Sequence, residues 1–237
     1  MANKHEPAAA RAGRLLEDDR LRHIDMLEAL ERGICRVEYA EDDGVLLTVR
    51  DYTGMLSCDS GERALELLEG RDYPLLVLHQ VEQTDAILAR WPEYHASGLC
   101  RQGAYLKTEP IPEGSEDIRT LDEGFLPFIL EHYDLDDEET IRDSLRGGEI
   151  LGCFVEGRPV GFVGLHPEGS VGMLFVLPEY RRRGLAEAME RRIFNRELAR
   201  GHVPYGQVFA DNAASRILHE KMGVVFSDKP IRWLWKE

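Results

Sequence analysis

Between residues 150 and 177 the hydrophobic positions fall in three short runs, ILGCFV, VGFVGL and SVGMLFVL, separated by the turn-forming stretches EGRP and HPEG. Runs of that length, rich in β-branched and aromatic residues and broken by Gly and Pro, predict an antiparallel meander of three strands. The period then changes. Leu185, Ala188, Met189 and Ile193 recur at helical spacing with charged residues between them, which predicts an amphipathic helix over about 183–200, stopped by Gly201. A strand and a second helix follow over 205–224, the helix carrying Ala214, Ile217, Leu218 and Met222 on one face and Gly223 as its cap.

The first half of the chain has the same rhythm. A helix over about 14–32 precedes strands at 34–39, 45–50 and 53–57, a helix at 61–70, a strand in YPLLVLHQ, a helix capped by Thr84 and a strand through GAYLKT. The order β-β-β-α-β-α-β therefore occurs twice. The proline-bearing stretch Glu109–Gly114 marks the approximate boundary, giving domains 1–110 and 111–237.

Composition narrows the function classes. With 237 residues, 43% hydrophobic and 31% charged, the chain has enough apolar material for a substantial core. A net charge of −15 argues against coating nucleic acid, which needs excess Lys and Arg to displace counterions. The first sixteen residues lack an apolar export core and runs such as Leu75–Leu78 are too short to span a bilayer, so a cytoplasmic protein with no membrane partner is expected. Cys35, Cys58, Cys100 and Cys153 are scattered without metal-ligand spacing, which predicts free thiols and no metal.

Against the acidic background, Arg181, Arg182 and Arg183 stand together before Gly184, between the third meander strand and the helix. A helix N-terminus offers unpaired N–H groups and the positive end of the dipole, a setting that favours a bound anion. Gly184 lets the backbone come close, and the arginines add charge and bidentate donors. Neither a Walker loop nor a dinucleotide fingerprint is present.

Arg181-Arg182-Arg183-Gly184-Leu185-Ala186 resembles the acyl-CoA loop Q/R-x-x-G-x-G/A of the GNAT acyltransferase superfamily, with Val176, Pro178 and Tyr180 fitting its approach strand. A second block, Asn212, Ser215, Leu218, His219, Lys221 and Gly223, resembles a helix signature of the same family. The two-copy layout and the tryptophan-rich ending IRWLW look most like the glycine N-acyltransferase-like branch. The resemblance implies an α/β GNAT fold, a mixed and mostly antiparallel sheet flanked by helices, in two tandem copies of which the N-terminal one is degenerate. In that copy Asp59 and Glu62 occupy the turn where pyrophosphate would sit, and they would repel it.

The resemblance further implies acetyl-CoA or another acyl-CoA as co-substrate and an amine or amino acid as acceptor. Leu174, Phe175 and Val176 would present backbone to the pantetheine and thioester, and residues 181–186 would hold the pyrophosphate. Asn212 and Ser215 would lie on the pantetheine side, while Asn212 equally reads as a helix N-cap. His219 is the implied general acid. The family's usual base, a glutamate at the start of the third meander strand, is replaced by Ser170, with Glu168 two residues away as a substitute. An acidic segment, Glu131, Asp134, Asp136 to Glu139 and Asp143, either borders a cationic acceptor or is a solvated helix start capped by Asp136. A homodimer is left open. The competing class is a CoA-binding or interaction module whose acid–base equipment has decayed.

Overall fold

The computed structural model describes residues 6–236. Contacts divide the chain into two compact units: residues up to Ala104 with Gln207–Ser215 and the chain from Phe226, and Tyr105–Gly206 with Arg216–Val225.

The first unit contains α1 (Ala8–Leu16), α2 (Ile24–Glu31), β1 (Cys35–Glu41), β2 (Gly44–Val49), β3 (Thr53–Cys58), α3 (Gly61–Leu68), β4 (Leu75–Leu78), α4 (Thr84–Arg90), β5 (His95–Ala96) and β6 (Cys100–Ala104). The single helix expected over 14–32 is two helices separated by the 3-10 turn Glu17–Asp19, whose three consecutive carboxylates oppose the dipole at the end of α1. Thr84 does not cap α4; it is the first helical residue, and its hydroxyl donates to the Val81 carbonyl at 2.6 Å. Leu47, Met55 and Val77 face the core cluster that includes α1 and α2, while Leu46, Leu56, Leu76 and Leu78 face α3 and α4. This alternation is what a sheet covered on both sides requires.

The strand order is β1-β2-β3-β4-β13-β5, with β13 spanning Arg232–Trp235. β3 and β4 pair in parallel from Thr53 opposite Leu75 to Leu56 opposite Leu78. β13 lies antiparallel on the other side of β4, so the tryptophan-rich end of the chain completes the sheet of the first unit.

A polar cluster is buried at the centre of this unit. His23 donates from Nδ1 to the Leu16 carbonyl at 3.2 Å, and these partners leave Nε2 to accept from the Ser57 hydroxyl at 2.9 Å. His79 Nδ1 donates to the Leu56 carbonyl at 3.0 Å, and its Nε2 lies 2.8 Å from Asp25. Burial, followed by the charge of the neighbouring His79, lowers the pKa of His23 to about 4. The unfolded chain therefore binds a proton on this residue near pH 6.5, where the folded chain does not. The contribution of His23 to stability is complete above about pH 6.5 and is lost as pH falls toward 4, amounting to about 3 kcal/mol. Urea unfolding between pH 7 and pH 4.5 should show that slope, flattened in His23→Gln; an equal slope in both proteins would assign the pH dependence to other groups.

The second unit contains β7 (Asp117–Thr120), α5 (Leu126–Leu130), α6 (Glu138–Arg146), β8 (Ile150–Val155), β9 (Arg158–Leu165), β10 (Val171–Val176) and α7 (Leu185–Ala199). The unit boundary cuts the remaining elements β11 (Tyr205–Phe209), α8 (Ala213–Met222) and β12 (Val225–Phe226), of which Tyr205–Gly206 and Arg216–Val225 belong to the second unit. β10, β9, β8 and β7 form one antiparallel sheet in that order, built on a core of Ile129, Ile141, Leu145, Ile150, Phe162 and Met173. β10 is its edge strand, and β11 belongs to a different sheet of order β11-β6-β12. The start of β11 still approaches the start of β10 closely, since a Cβ on Gly206 would come within 2.6 Å of the Val171 carbonyl oxygen. Helix α8 departs from its expected burial: Met222 is buried, but Ile217 is 62% exposed.

The four cysteines are free thiols, Cys35 partly buried and the others buried. Burial pushes Cys35 and Cys58 up to about 11 and Cys100 to about 12, so these remain protonated at neutral pH. Among the described residues no helix is long and apolar enough to cross a membrane, and no cluster of side chains could hold a metal ion.

Candidate active site

β10 is not a regular strand. Its pairing with β9 runs from Val171 to Gly172, breaks, and resumes at Phe175 and Val176, while Met173 adopts a positive φ of 55°. This bulge releases the backbone of Met173 and Leu174 from the ladder at the edge of the sheet. Phe175 is held by stacking on His132, with centroids 4.4 Å apart and planes 12° apart, and on Phe162 at 5.5 Å. The strand that would face a thioester is thus anchored by its side chains while its backbone stays irregular.

The arginine turn follows. Arg181 donates from Nε to the Val176 carbonyl at 2.9 Å, tying off the end of β10. Arg183 donates to the Glu179 carbonyl at 3.2 Å and lies 4.9 Å over the Tyr180 ring. Arg182 and Gly184 take positive φ of 63° and 81°. Gly184 is the N-cap of α7, makes no side-chain cap, and faces open space. The first-turn N–H groups of α7, which have no acceptor within the helix, therefore end at an exposed turn with arginines on it. Leu185 anchors the helix in the core and Ala186 keeps its first turn slim.

The matching place in the first unit is closed. Ser60 caps α3, its hydroxyl accepting from Arg63 N–H at 3.1 Å, and the Gln80 and Gln83 side chains bond the Cys58 backbone. β3 and β4 are zipped along their length, whereas β10 and β11 lie in different sheets.

The remaining sequence-derived residues fall into two groups. Asn212 Oδ1 accepts from Ser215 N–H at 3.1 Å, the helix-capping geometry. His219 points toward α7, where its Nε2 lies 3.0 Å from Oε1 of the buried Glu190 and its ring stacks near Phe194. At the other end of β10, Ser170 is fully buried and its hydroxyl donates to Glu168, whose own carbonyl accepts from the Tyr205 hydroxyl at 2.8 Å. The hydroxyl is therefore spent on the carboxylate beside it.

Two side chains not singled out from sequence, His166 and Tyr133, gather beside Glu168 together with Asp136. Asp137, not Asp136, caps α6 by accepting from Thr140 N–H at 2.7 Å. That leaves Asp136 to meet His166, its Oδ2 lying 3.2 Å from Nδ1. The Tyr133 hydroxyl is buried beside them, and burial followed by the charge and hydrogen bond of Asp136 raises its pKa, so it stays a neutral donor. Two more carboxylates of the acidic segment are spent locally, Glu138 on Arg142 and Asp143 on Arg146.

Residues 115–224 match the acetyltransferase (GNAT) family. The matched stretch is a little under half of the chain and holds the arginine turn, α7 and α8. The likeness in structure extends beyond it, and the chain has the mixed α/β GNAT fold. A Drosophila protein superposes with a TM-score of 0.65 at 18% identity, covering 97% of this chain and 88% of that one. A putative GNAT-family acetyltransferase from Novosphingobium aromaticivorans gives 0.56 at 21% identity, covering 92% and 98%. A GCN5-related N-acetyltransferase from Kribbella flavida gives 0.57 at 13% identity, covering 95% of each chain. No curated protein matches the chain in sequence.

Within the stretch that matches the GNAT family the arginines divide their work, and this sets an expected salt dependence. Arg181 shapes the turn, whereas Arg182 and Arg183 are exposed and able to meet phosphate. Exposed charge pairs are screened over roughly 8–10 Å at ordinary ionic strength, while backbone N–H contacts are much less affected. Acetyl-CoA affinity should fall with added salt, and less steeply when Arg182 and Arg183 are both changed to Ala. Calorimetric titration at several salt concentrations checks this; equal affinity and equal slope in the double variant would confine recognition to the backbone turn.

Proposed function

We propose that the protein is an acyl-CoA-dependent N-acyltransferase of the glycine N-acyltransferase-like kind, using acetyl-CoA and a small amine or amino acid. The observation that carries this reading is the pairing of an edge-strand bulge with an uncapped, arginine-bearing helix N-terminus one short turn later. Preformed backbone donors at Met173 to Val176 would polarise the thioester carbonyl, and the α7 turn would take the pyrophosphate. The amine nitrogen attacks directly and gives up its proton near the Glu168 end of β10, and His219, oriented by Glu190, supplies a proton to the departing thiolate.

The first unit is read as a degenerate copy that does not bind CoA, on the strength of its self-capped α3 and zipped β3–β4 pair. Titration calorimetry with acetyl-CoA should give one site per chain. Two sites of similar affinity, or one that survives disruption of the α7 turn, would contradict the reading.

A further inference from the structure

We propose, resting on the acyl-transfer reading above, that His166, oriented by Asp136, is the base that takes the proton from the attacking amine. The family position for a basic side chain holds Ser170, which is buried and donates to Glu168. His166 stands across the same hairpin, its backbone N–H donating to the Ser170 carbonyl at 2.9 Å. The Asp136 carboxylate can only accept, so Nδ1 carries the hydrogen and the Nε2 lone pair faces the other way. That lone pair lies over β10: a Cβ added at Gly172 would come within 2.3 Å of Nε2. Gly172 is the last paired residue before the bulge, so the basic nitrogen sits against the segment whose backbone is released for the thioester. The side chain is 23% exposed, which leaves it within reach of a small molecule.

The groups around the ring favour this use. Asp136 approaches from the loop before α6, Glu168 from the hairpin turn, and Tyr133 lies with its ring centroid 6.4 Å away. Ser170 just before β10 and Gly172 within it are uncharged, and the Tyr205 hydroxyl from β11 is spent on the Glu168 carbonyl. Burial works against protonating His166, but the Asp136 hydrogen bond and the charges of Glu168 and Asp136 outweigh it and raise its pKa above the ordinary histidine value.

In the reaction an ammonium acceptor gives one proton to Nε2. The neutral nitrogen then attacks the thioester carbonyl carbon, so that the C–N bond forms and the C–S bond breaks. CoA leaves as thiolate and takes a proton from His219, which the nitrogen's second proton replaces, and the His166 imidazolium returns the first to solvent. The products are one amide, one thiol and one released proton.

The test measures kcat/KM against pH with acetyl-CoA and glycine, lysine and spermidine as acceptors, in wild type, His166→Gln and Asp136→Asn. Acetyl-CoA affinity is measured alongside and should be unchanged in both variants. His166→Gln should lower turnover by ~10²-fold and lose the acid limb of the profile. Asp136→Asn keeps the shape and removes the charge, so its acid limb should move to lower pH by about one unit. Should His166→Gln fail to fold, the shift in Asp136→Asn decides, with the histidine titration followed directly by NMR. An unmoved acid limb in Asp136→Asn, or wild-type turnover in a folded His166→Gln, overturns the assignment while leaving acyl transfer in place. Acetyl-CoA bound by wild type without thiol release to any of the three amines removes the acyl-transfer reading and the base with it.

Discussion

Replacing Gly184 with aspartate is expected to abolish the stabilisation that acetyl-CoA gives the protein. Acetyl-CoA at ~100 times its dissociation constant should raise the unfolding free energy of wild type by about 2.7 kcal/mol through mass action. Gly184 sits at φ 81° as the N-cap of α7 with open space where a side chain would go, so an aspartate fits sterically. Its carboxylate can then accept from the first-turn N–H groups that the pyrophosphate needs, and it places a negative charge where phosphate must lie. The variant should remain folded, because a left-handed conformation costs an aspartate about 1 kcal/mol and a new cap returns about as much. The chemistry of the substitution imitates the first unit, where Ser60 already caps α3. Ser60→Ala is the matching control: it should lose about 1 kcal/mol of stability without ligand and keep the full acetyl-CoA shift. Thermal or urea unfolding with and without acetyl-CoA measures both. A shift that persists in Gly184→Asp and vanishes in Ser60→Ala would move the cofactor to the other unit.

His219→Phe should lower turnover by ~10²-fold or more where protonation of the leaving thiolate limits the rate, with acetyl-CoA affinity nearly unchanged. Phenylalanine preserves the stacking near Phe194 but leaves the buried carboxylate of Glu190 without its 3.0 Å partner. Loss of activity in that variant alone would therefore fit a merely structural role. His219→Gln separates the two, since an amide can hydrogen-bond Glu190 yet cannot deliver a proton near neutral pH. The acid assignment expects both variants to be slow and both to lose the alkaline limb of the pH profile. Recovery of turnover in His219→Gln would make His219 a positioning residue and leave a water as proton donor.

The parts of this site that were legible in the sequence are those fixed by local rules. The meander, the change of period at residue 185 and the glycine at the helix start all depend on neighbours in the chain, and the strand, turn and helix stand where the pattern puts them. Asn212 shows the same, capping its helix as its residue type and position suggested. His166 was not legible because its meaning comes from Asp136, which lies thirty residues earlier and on a different element. A one-residue shift hid the partner as well: Asp136 and Asp137 are equally good caps on paper, and only the backbone path decides that Asp137 takes the role. β13 was opaque for a similar reason, since a four-residue strand carries no sign of pairing with β4. The pattern misled on α8, where an apolar stripe that predicts burial leaves Ile217 largely exposed.

The measurement that bears most directly on the account is free-thiol release from acetyl-CoA by wild type and Gly184→Asp, with glycine, lysine and spermidine as acceptors. The account predicts release that depends on the amine, saturates with acetyl-CoA, and falls to the spontaneous rate in the variant. Binding of acetyl-CoA by wild type with no release above the spontaneous rate for any of these amines, or equal release by both proteins, would contradict it.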